Sequence, residues 1–130
     1  SYFLKALELY SDQPDVLNYL GYSYIDKDIN MDIAKDMIEK ALNQKPSDPY
    51  IIDSMAWYYF KTEAYEEAKS LLEYAIDLMP YDPIINEHYG DALWKSGQNV
   101  EARFHWSKAL ELDPEEETIA DIKIKILKGI

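Results

Sequence analysis

The chain has 130 residues, a formal net charge of −12 at pH 7 and no cysteine, so disulfides, thiolate nucleophiles and cysteine-ligated zinc are excluded. An apolar fraction of 48% and an aromatic fraction of 14% suffice for a buried core and exclude a disordered chain. Because the sequence has no basic stripe and no apolar run of about 18 residues, neither nucleic acid binding nor direct membrane insertion is expected.

The first predicted element is a helix in residues 1–11, from the apolar residues of SYFLKALELYS. Its Ala6 precedes Ala41 by 35 residues, close to the spacing that relates the later helices to one another. We therefore expect it to be the second helix of an earlier repeat, in a parent protein with more repeats upstream. A face that lacks its partner helix would be open to self-association.

Three segments follow, each with two helical patterns: 14–46, 49–80 and 83–114. In the first segment, Leu17, Leu20 and Tyr24 share one helix face, and Ala34 and Ile38 share a face of the next helix. The stretches SDQPD, PSDPY and PYDPI precede the first helices and supply caps and first-turn prolines. Each segment is therefore predicted to be a pair of antiparallel helices.

A period of 34 residues relates the three segments, with alanine recurring at positions 41, 75 and 109. Two further sets keep the same two steps: Ala34, Ala68 and Ala102; Pro46, Pro80 and Pro114. The small residues Gly21, Ala56 and Gly90 recur at steps of 35 and 34. One extra residue lies in the polar DKDINM turn of the first segment, where an insertion costs little. The small residues predict close approach of the two helices of each pair.

The last predicted element is a helix in residues 115–130. The alternation in DIKIKI would also suit a strand. A helix is favoured because acidic residues open the segment and lysines close it, which matches the two ends of a helix dipole. Ile119, Ile122 and Ile126 then form one apolar stripe, as a capping helix requires.

The spacing resembles the tetratricopeptide repeat (TPR) family, whose signature is W-x2-L-G-x2-Y followed by A-x3-F, A and P. The first segment matches it with Leu17, Leu20, Gly21, Tyr24, Ala34, Ile38, Ala41 and Pro46. The third segment departs from it at Asn86, where a bulky residue is expected. The resemblance implies one all-α domain over residues 1–130, an α-solenoid of three repeats preceded by a lone helix and followed by a capping helix.

In TPR proteins the first helices line a concave groove that holds a peptide or a partner helix. By that resemblance, the predicted binding residues are those of the corresponding columns: Asn18, Tyr22, Tyr50, Asp53, Trp57, Phe60, Lys61, Glu87, Asp91, Trp94 and Lys95. The groove would be acidic and aromatic, so a basic or amphipathic protein partner is expected. The Lys, Asn and Arg set with which some TPR domains clamp a C-terminal carboxylate is lacking.

The stretch NEHYGDALWKSG, residues 86–97, also invites a metal or acid–base interpretation. His88 and Asp91 lie three residues apart and could supply two ligands, but a metal needs three or four that converge. No glycine-rich phosphate loop, G-x-S-x-G or H-E-x-x-H is present, so neither an enzyme nor a cofactor is predicted.

The prediction is a protein–protein interaction scaffold. Two alternatives stay open: a structural segment used only for stacking or self-association, and an accessory domain that binds a metal or small ligand. The sequence of residues 85–114 resembles bacterial TPR proteins. The expected location is accordingly the cytoplasm, or the bacterial cell envelope if the parent carries an export signal.

Overall fold

The computed structural model describes residues 13–130, and this part of the chain forms seven α-helices and no strand. The helices are α1 (Pro14–Asp26), α2 (Met31–Gln44), α3 (Pro49–Lys61), α4 (Tyr65–Leu78), α5 (Pro83–Lys95), α6 (Asn99–Glu111) and α7 (Glu116–Lys128). The predicted all-α solenoid is confirmed. The helix predicted for residues 1–11 lies outside the described residues, and the division of the chain into repeats remains an interpretation.

Proline begins the first helix of each pair, and an aspartate caps α3 and α5, whereas α1 begins after Gln13 with no side-chain cap. Proline occupies the opening turn of α1, α3 and α5, where its missing N–H costs nothing. The Asp48 side chain accepts from the backbone N–H of Tyr50 at 2.9 Å, and the Asp82 side chain accepts from Ile85 at 2.9 Å. Both caps satisfy amides that a helix start leaves unpaired.

Small residues let the helices of each pair approach closely. The repeating alanines of α2, α4 and α6 are fully buried. A Cβ atom at Gly21 would stand 2.7 Å from Ile38 Cδ1, and one at Gly90 would stand 2.5 Å from Trp106 Cδ1. The glycines therefore admit the large side chains of the facing helix, as the sequence predicts.

The pairs stack so that α1, α3 and α5 lie side by side, and α2, α4 and α6 form the other layer. Ile52 and Ile85 carry the core from one pair to the next. The first turn, residues 27–30, has four residues against three in the turns at 62–64 and 96–98, which confirms the predicted insertion. Asp28 and Asn30 take positive φ there.

The last element is the helix that was favoured over a strand. Ile122 is fully buried against the third pair, and Ile126 packs beside it. Acidic residues occupy the first turn of α7, and Lys125 and Lys128 lie in its last turn. No helix in residues 13–130 is long and apolar enough to cross a membrane.

Candidate functional site

The predicted binding residues divide into two environments. An open pocket lies between α1 and α3. A buried polar cluster, formed by His88, Glu87, Asp91 and Lys125, lies between α3, α5 and α7. The pocket, here called the α1–α3 pocket, holds about 270 Å³ and is lined by Asp15, Asn18, Tyr19, Tyr22, Ser23, Tyr50, Asp53, Ser54 and Ile84. Four of the predicted residues therefore meet in it: Asn18, Tyr22, Tyr50 and Asp53.

The α1–α3 pocket has an apolar rim and a polar floor. Tyr19, Tyr50 and Ile84 are 66%, 48% and 49% exposed, whereas Asp53 and Ser54 are buried. The rim can cover an apolar stem while the floor meets a polar end.

The electrostatic field in the pocket is negative. Burial, and then the carboxylates of Asp53, Asp26 and Glu87, raise the pKa of Tyr22 far above its usual value. The phenol therefore stays protonated at neutral pH. Asn18 Oδ1 is buried and has no hydrogen-bond partner within residues 13–130. A buried acceptor without a donor is costly, so a group that donates to this atom would remove that cost.

His88 connects the pocket to the polar cluster. Its Nδ1 lies 2.8 Å from Asp53 Oδ1, and its ring stacks on Trp57 with the ring centroids 3.9 Å apart. Trp57 in turn stacks on Phe60 at 4.6 Å. Burial alone lowers the pKa of His88, but the Asp53 carboxylate, with help from other acidic groups, outweighs burial and holds that pKa above its ordinary value. Nδ1 is therefore the donor and Asp53 the acceptor.

Lys125 of α7 binds two carboxylates of the third repeat. Its Nζ lies 2.7 Å from Glu87 Oε2 and 3.0 Å from Asp91 Oδ1. Trp106 Nε1 donates to Asp91 Oδ1 at 3.0 Å. Burial raises the pKa of Asp91, and Lys125 and His88 oppose that rise in part. Burial lowers the pKa of Lys125, but the carboxylates of Asp91 and Glu87 outweigh it, so the ammonium is retained.

The expectation of an open acidic face on α5 is not met. Asp91 is 2% exposed and Glu87 lies under Lys125, because α7 packs over this face of α5. Trp57 is also buried, so it supports the site from below rather than offering a free ring. A signal for this was present in the sequence: Lys125 lies within the apolar stripe of α7, three residues after Ile122.

The other predicted residues lie at the ends of the first helices. Lys61 Nζ reaches Asp28 Oδ2 at 3.2 Å and so ties α3 to the first turn. Trp94 lies beneath Arg103, 4.9 Å from the guanidinium to the ring, and a Cβ at Gly129 would overlap the Trp94 ring. Lys95 is exposed at the last turn of α5. The structure does not bring Lys61, Trp94 or Lys95 to the lining of the α1–α3 pocket.

Asn86, which departs from the repeat signature, has hydrogen-bond partners for its side-chain amide. Asn86 Nδ2 donates to the carbonyls of Pro80 at 3.1 Å and Asp82 at 2.9 Å. Asn86 Oδ1 lies 3.0 Å from His105 Nδ1. Burial, and then Lys108, lower the pKa of His105, so its ring is neutral and Nδ1 donates. Both histidines therefore have structural partners, and the described residues contain no group of three or more side chains able to hold a metal ion.

No protein-family model and no curated protein matches the chain. Solved structures do. The first TPR of Spaghetti (RPAP3), bound to the HSP90 peptide SRMEEVD, is 22% identical with a TM-score of 0.70, over 89% of this chain and 94% of that one.

Two further structures agree with it. The first TPR domain of human RPAP3, solved by NMR, is 23% identical with a TM-score of 0.75, over 89% of this chain and 91% of that one. MamA AMB-1 is 22% identical with a TM-score of 0.67, over 85% of this chain and 65% of that one. At these identities the likeness is one of fold.

Proposed function

The chain has the TPR fold, and from this premise we propose that it is a non-catalytic scaffold or adaptor module that binds a peptide or partner helix. The binding surface is the α1–α3 pocket with its acidic and aromatic lining. RPAP3, a protein of the same fold, is known in complex with a peptide. The proposal transfers to this chain the class of ligand, a protein segment, and not its identity.

The observation that carries the proposal is the pocket itself. It is open on the side where the first helices lie next to one another, and its rim offers three exposed apolar side chains, Tyr19, Tyr50 and Ile84. Aromatic anchors that are exposed around a partly buried polar floor are typical of peptide-binding surfaces. A single module of this size is expected to bind at roughly micromolar strength, about −8 kcal/mol.

The charge of the site favours a basic or amphipathic partner. The carboxylates of Asp15 and Asp53 line the pocket, and Asp26 and Glu87 act on it through Tyr22. The peptide SRMEEVD, bound by RPAP3, carries three acidic side chains and one arginine. An acidic peptide of that kind would be repelled here, because like charges brought together across an interface cost affinity.

Selection of random 12-residue peptides displayed on phage, with the whole chain as bait, tests the proposal. Binding of the selected peptides is then measured by calorimetry. Ile84→Lys places a positive charge at the rim of the pocket, and Val100→Lys makes the matched change at the second residue of α6. Both side chains are exposed, so neither change disturbs the core.

The proposal expects Ile84→Lys to weaken a selected peptide by about tenfold, through repulsion and loss of apolar contact. Val100→Lys should leave the affinity unchanged. If no peptide is enriched, or if both variants bind as the native chain does, the pocket is not a peptide site.

A further inference from the structure

We propose that the α1–α3 pocket recognises a primary ammonium group, the end of a lysine side chain on the partner. The chain already binds one lysine of its own in this manner, one repeat further along. This inference rests on the proposed function and names the chemical group that the site selects.

The bound lysine within the chain is Lys125. It reaches across from α7 and places its Nζ against Glu87 and Asp91, two residues four apart on the first helix of the third pair. The ammonium is largely buried there, with its side chain 19% exposed. The surface formed by the first helices therefore accepts a lysine when carboxylates occupy these two columns.

The same two columns continue into the α1–α3 pocket. Glu87 corresponds to Asp53 in the second pair and to Asn18 in the first, at steps of 34 and 35 residues. Asp91 corresponds to Trp57 and, in the first pair, to Tyr22. Asn18, Tyr22 and Asp53 line the pocket together, and no lysine within residues 13–130 is bonded to them as Lys125 is to Glu87.

The pocket also holds unused acceptors. Asp53 is only 6% exposed and lines the floor of the pocket. His88 occupies its Oδ1, and no hydrogen bond from residues 13–130 reaches Oδ2. Asn18 Oδ1 is buried without a partner in the same part of the chain. With the Tyr22 hydroxyl, the lining residues carry three such acceptors, as many as an ammonium group has donors.

The shape of the pocket favours lysine over arginine. A lysine stem can lie along the exposed apolar rim of Tyr19, Tyr50 and Ile84 while its compact charge reaches the floor. Arginine presents five donors in a planar fork, more than the floor can satisfy, so some would be left unpaired.

The test is an NMR titration of the isotope-labelled whole chain with Nα-acetyl-lysine N-methylamide. The comparison probes are its Nε-acetylated form and the arginine analogue. We expect saturable amide shifts at Asn18, Tyr22 and Asp53 with the lysine probe, and binding about tenfold weaker with the acetylated probe, which has lost its charge.

Two variants and a control make the result specific. Asp53→Asn should weaken the lysine probe by about tenfold, and Asn18→Asp, which adds a carboxylate on the floor, should strengthen it several-fold. Asp36→Asn removes an exposed carboxylate of α2 and should change nothing. Because Asn18→Asp predicts a gain, the proposal remains testable even if Asp53→Asn disturbs folding through His88.

Equal binding of the lysine probe and its acetylated form, or no gain in Asn18→Asp, would overturn the lysine pocket. If phage-selected peptides still bind and still lose affinity in Ile84→Lys, the groove stands and only its ligand group is wrong. If neither the lysine probe nor any selected peptide binds, both proposals fail.

Discussion

Replacement of Lys125 by methionine probes the buried cluster most sharply. Methionine keeps most of the apolar stem and removes only the ammonium group. Glu87 and Asp91 are then left facing each other without a counter-ion, although Trp106 still donates to Asp91. The third pair must then either hold two carboxylates together or release α7.

The magnitude follows from the burial of the three groups. Removing one partner of a buried ion pair costs about 3–5 kcal/mol, against at most about 1 kcal/mol for an exposed pair. The side chain of Asp91 is 3% exposed, but those of Glu87 and Lys125 are 15% and 19% exposed, which places the expected loss near the lower limit, about 3 kcal/mol. With an unfolding entropy of about 0.27 kcal/mol/K for 130 residues, Tm should fall by about 11 °C.

Urea denaturation and thermal melts followed by circular dichroism measure this loss, and hydrogen exchange reports whether α7 opens first. Lys128→Met, on an exposed position of the same helix, is the matched control and should change the free energy of unfolding by less than about 0.5 kcal/mol. The double variant Lys125→Met/Asp91→Asn should recover about 1–2 kcal/mol, since it removes the repulsion. A loss as small as in the Lys128 control would refute the buried ion pair.

Three further outcomes are expected. Because the pKa of His88 is raised in the folded chain, its pairing with Asp53 adds to the free energy of unfolding in full below about pH 6.5, and this contribution is lost as the pH rises through the folded-state pKa. In urea titrations from pH 5.5 to 8.5, the free energy of unfolding should therefore fall with pH in the native chain and not in His88→Gln. Gly90→Ala should lower the free energy of unfolding by about 1–3 kcal/mol in urea titrations, because the new Cβ meets the Trp106 ring at 2.5 Å. Tyr50→Ala should weaken a selected peptide by more than about 1 kcal/mol in calorimetry with little change in Tm, since this ring is a rim anchor.

The repeat could be predicted from the sequence because the residues that recur with its period each have a single physical role. Gly21 and Gly90 must be small where a large side chain of the facing helix approaches within 3 Å of a Cβ. The extra residue in the first turn was also predictable, since a polar turn absorbs an insertion without moving the helices. These are local rules that do not depend on distant parts of the chain.

The buried cluster could not be derived from the period. Matching equivalent positions of the three repeats treats the same face of each first helix as exposed. Lys125, 34 residues beyond Asp91, covers that face on α5. His88 likewise finds Asp53 across 35 residues of sequence. Such pairs depend on how α7 and the neighbouring repeat dock, which spacing within one helix does not report.

Asn86 shows the same limit from the other direction. The repeat signature expects a bulky residue at this position, yet Asn86 is fully buried and hydrogen-bonded to Pro80, Asp82 and His105. Those partners lie in the preceding turn and on α6, and no repeat signature includes them. A polar residue at a buried position is stable when the surrounding helices supply partners.

Docking of a partner in the α1–α3 pocket can be tested with a paramagnetic label on a phage-selected peptide. With the paramagnetic group at one end of the peptide, relaxation enhancement of the amides in the isotope-labelled chain locates the bound peptide. We expect broadening of the Ser23 and Ser54 amides, with Tyr74 and Phe104 on the second helices unaffected. Broadening confined to Tyr74 and Phe104 would contradict it, because the partner would then dock on the opposite layer.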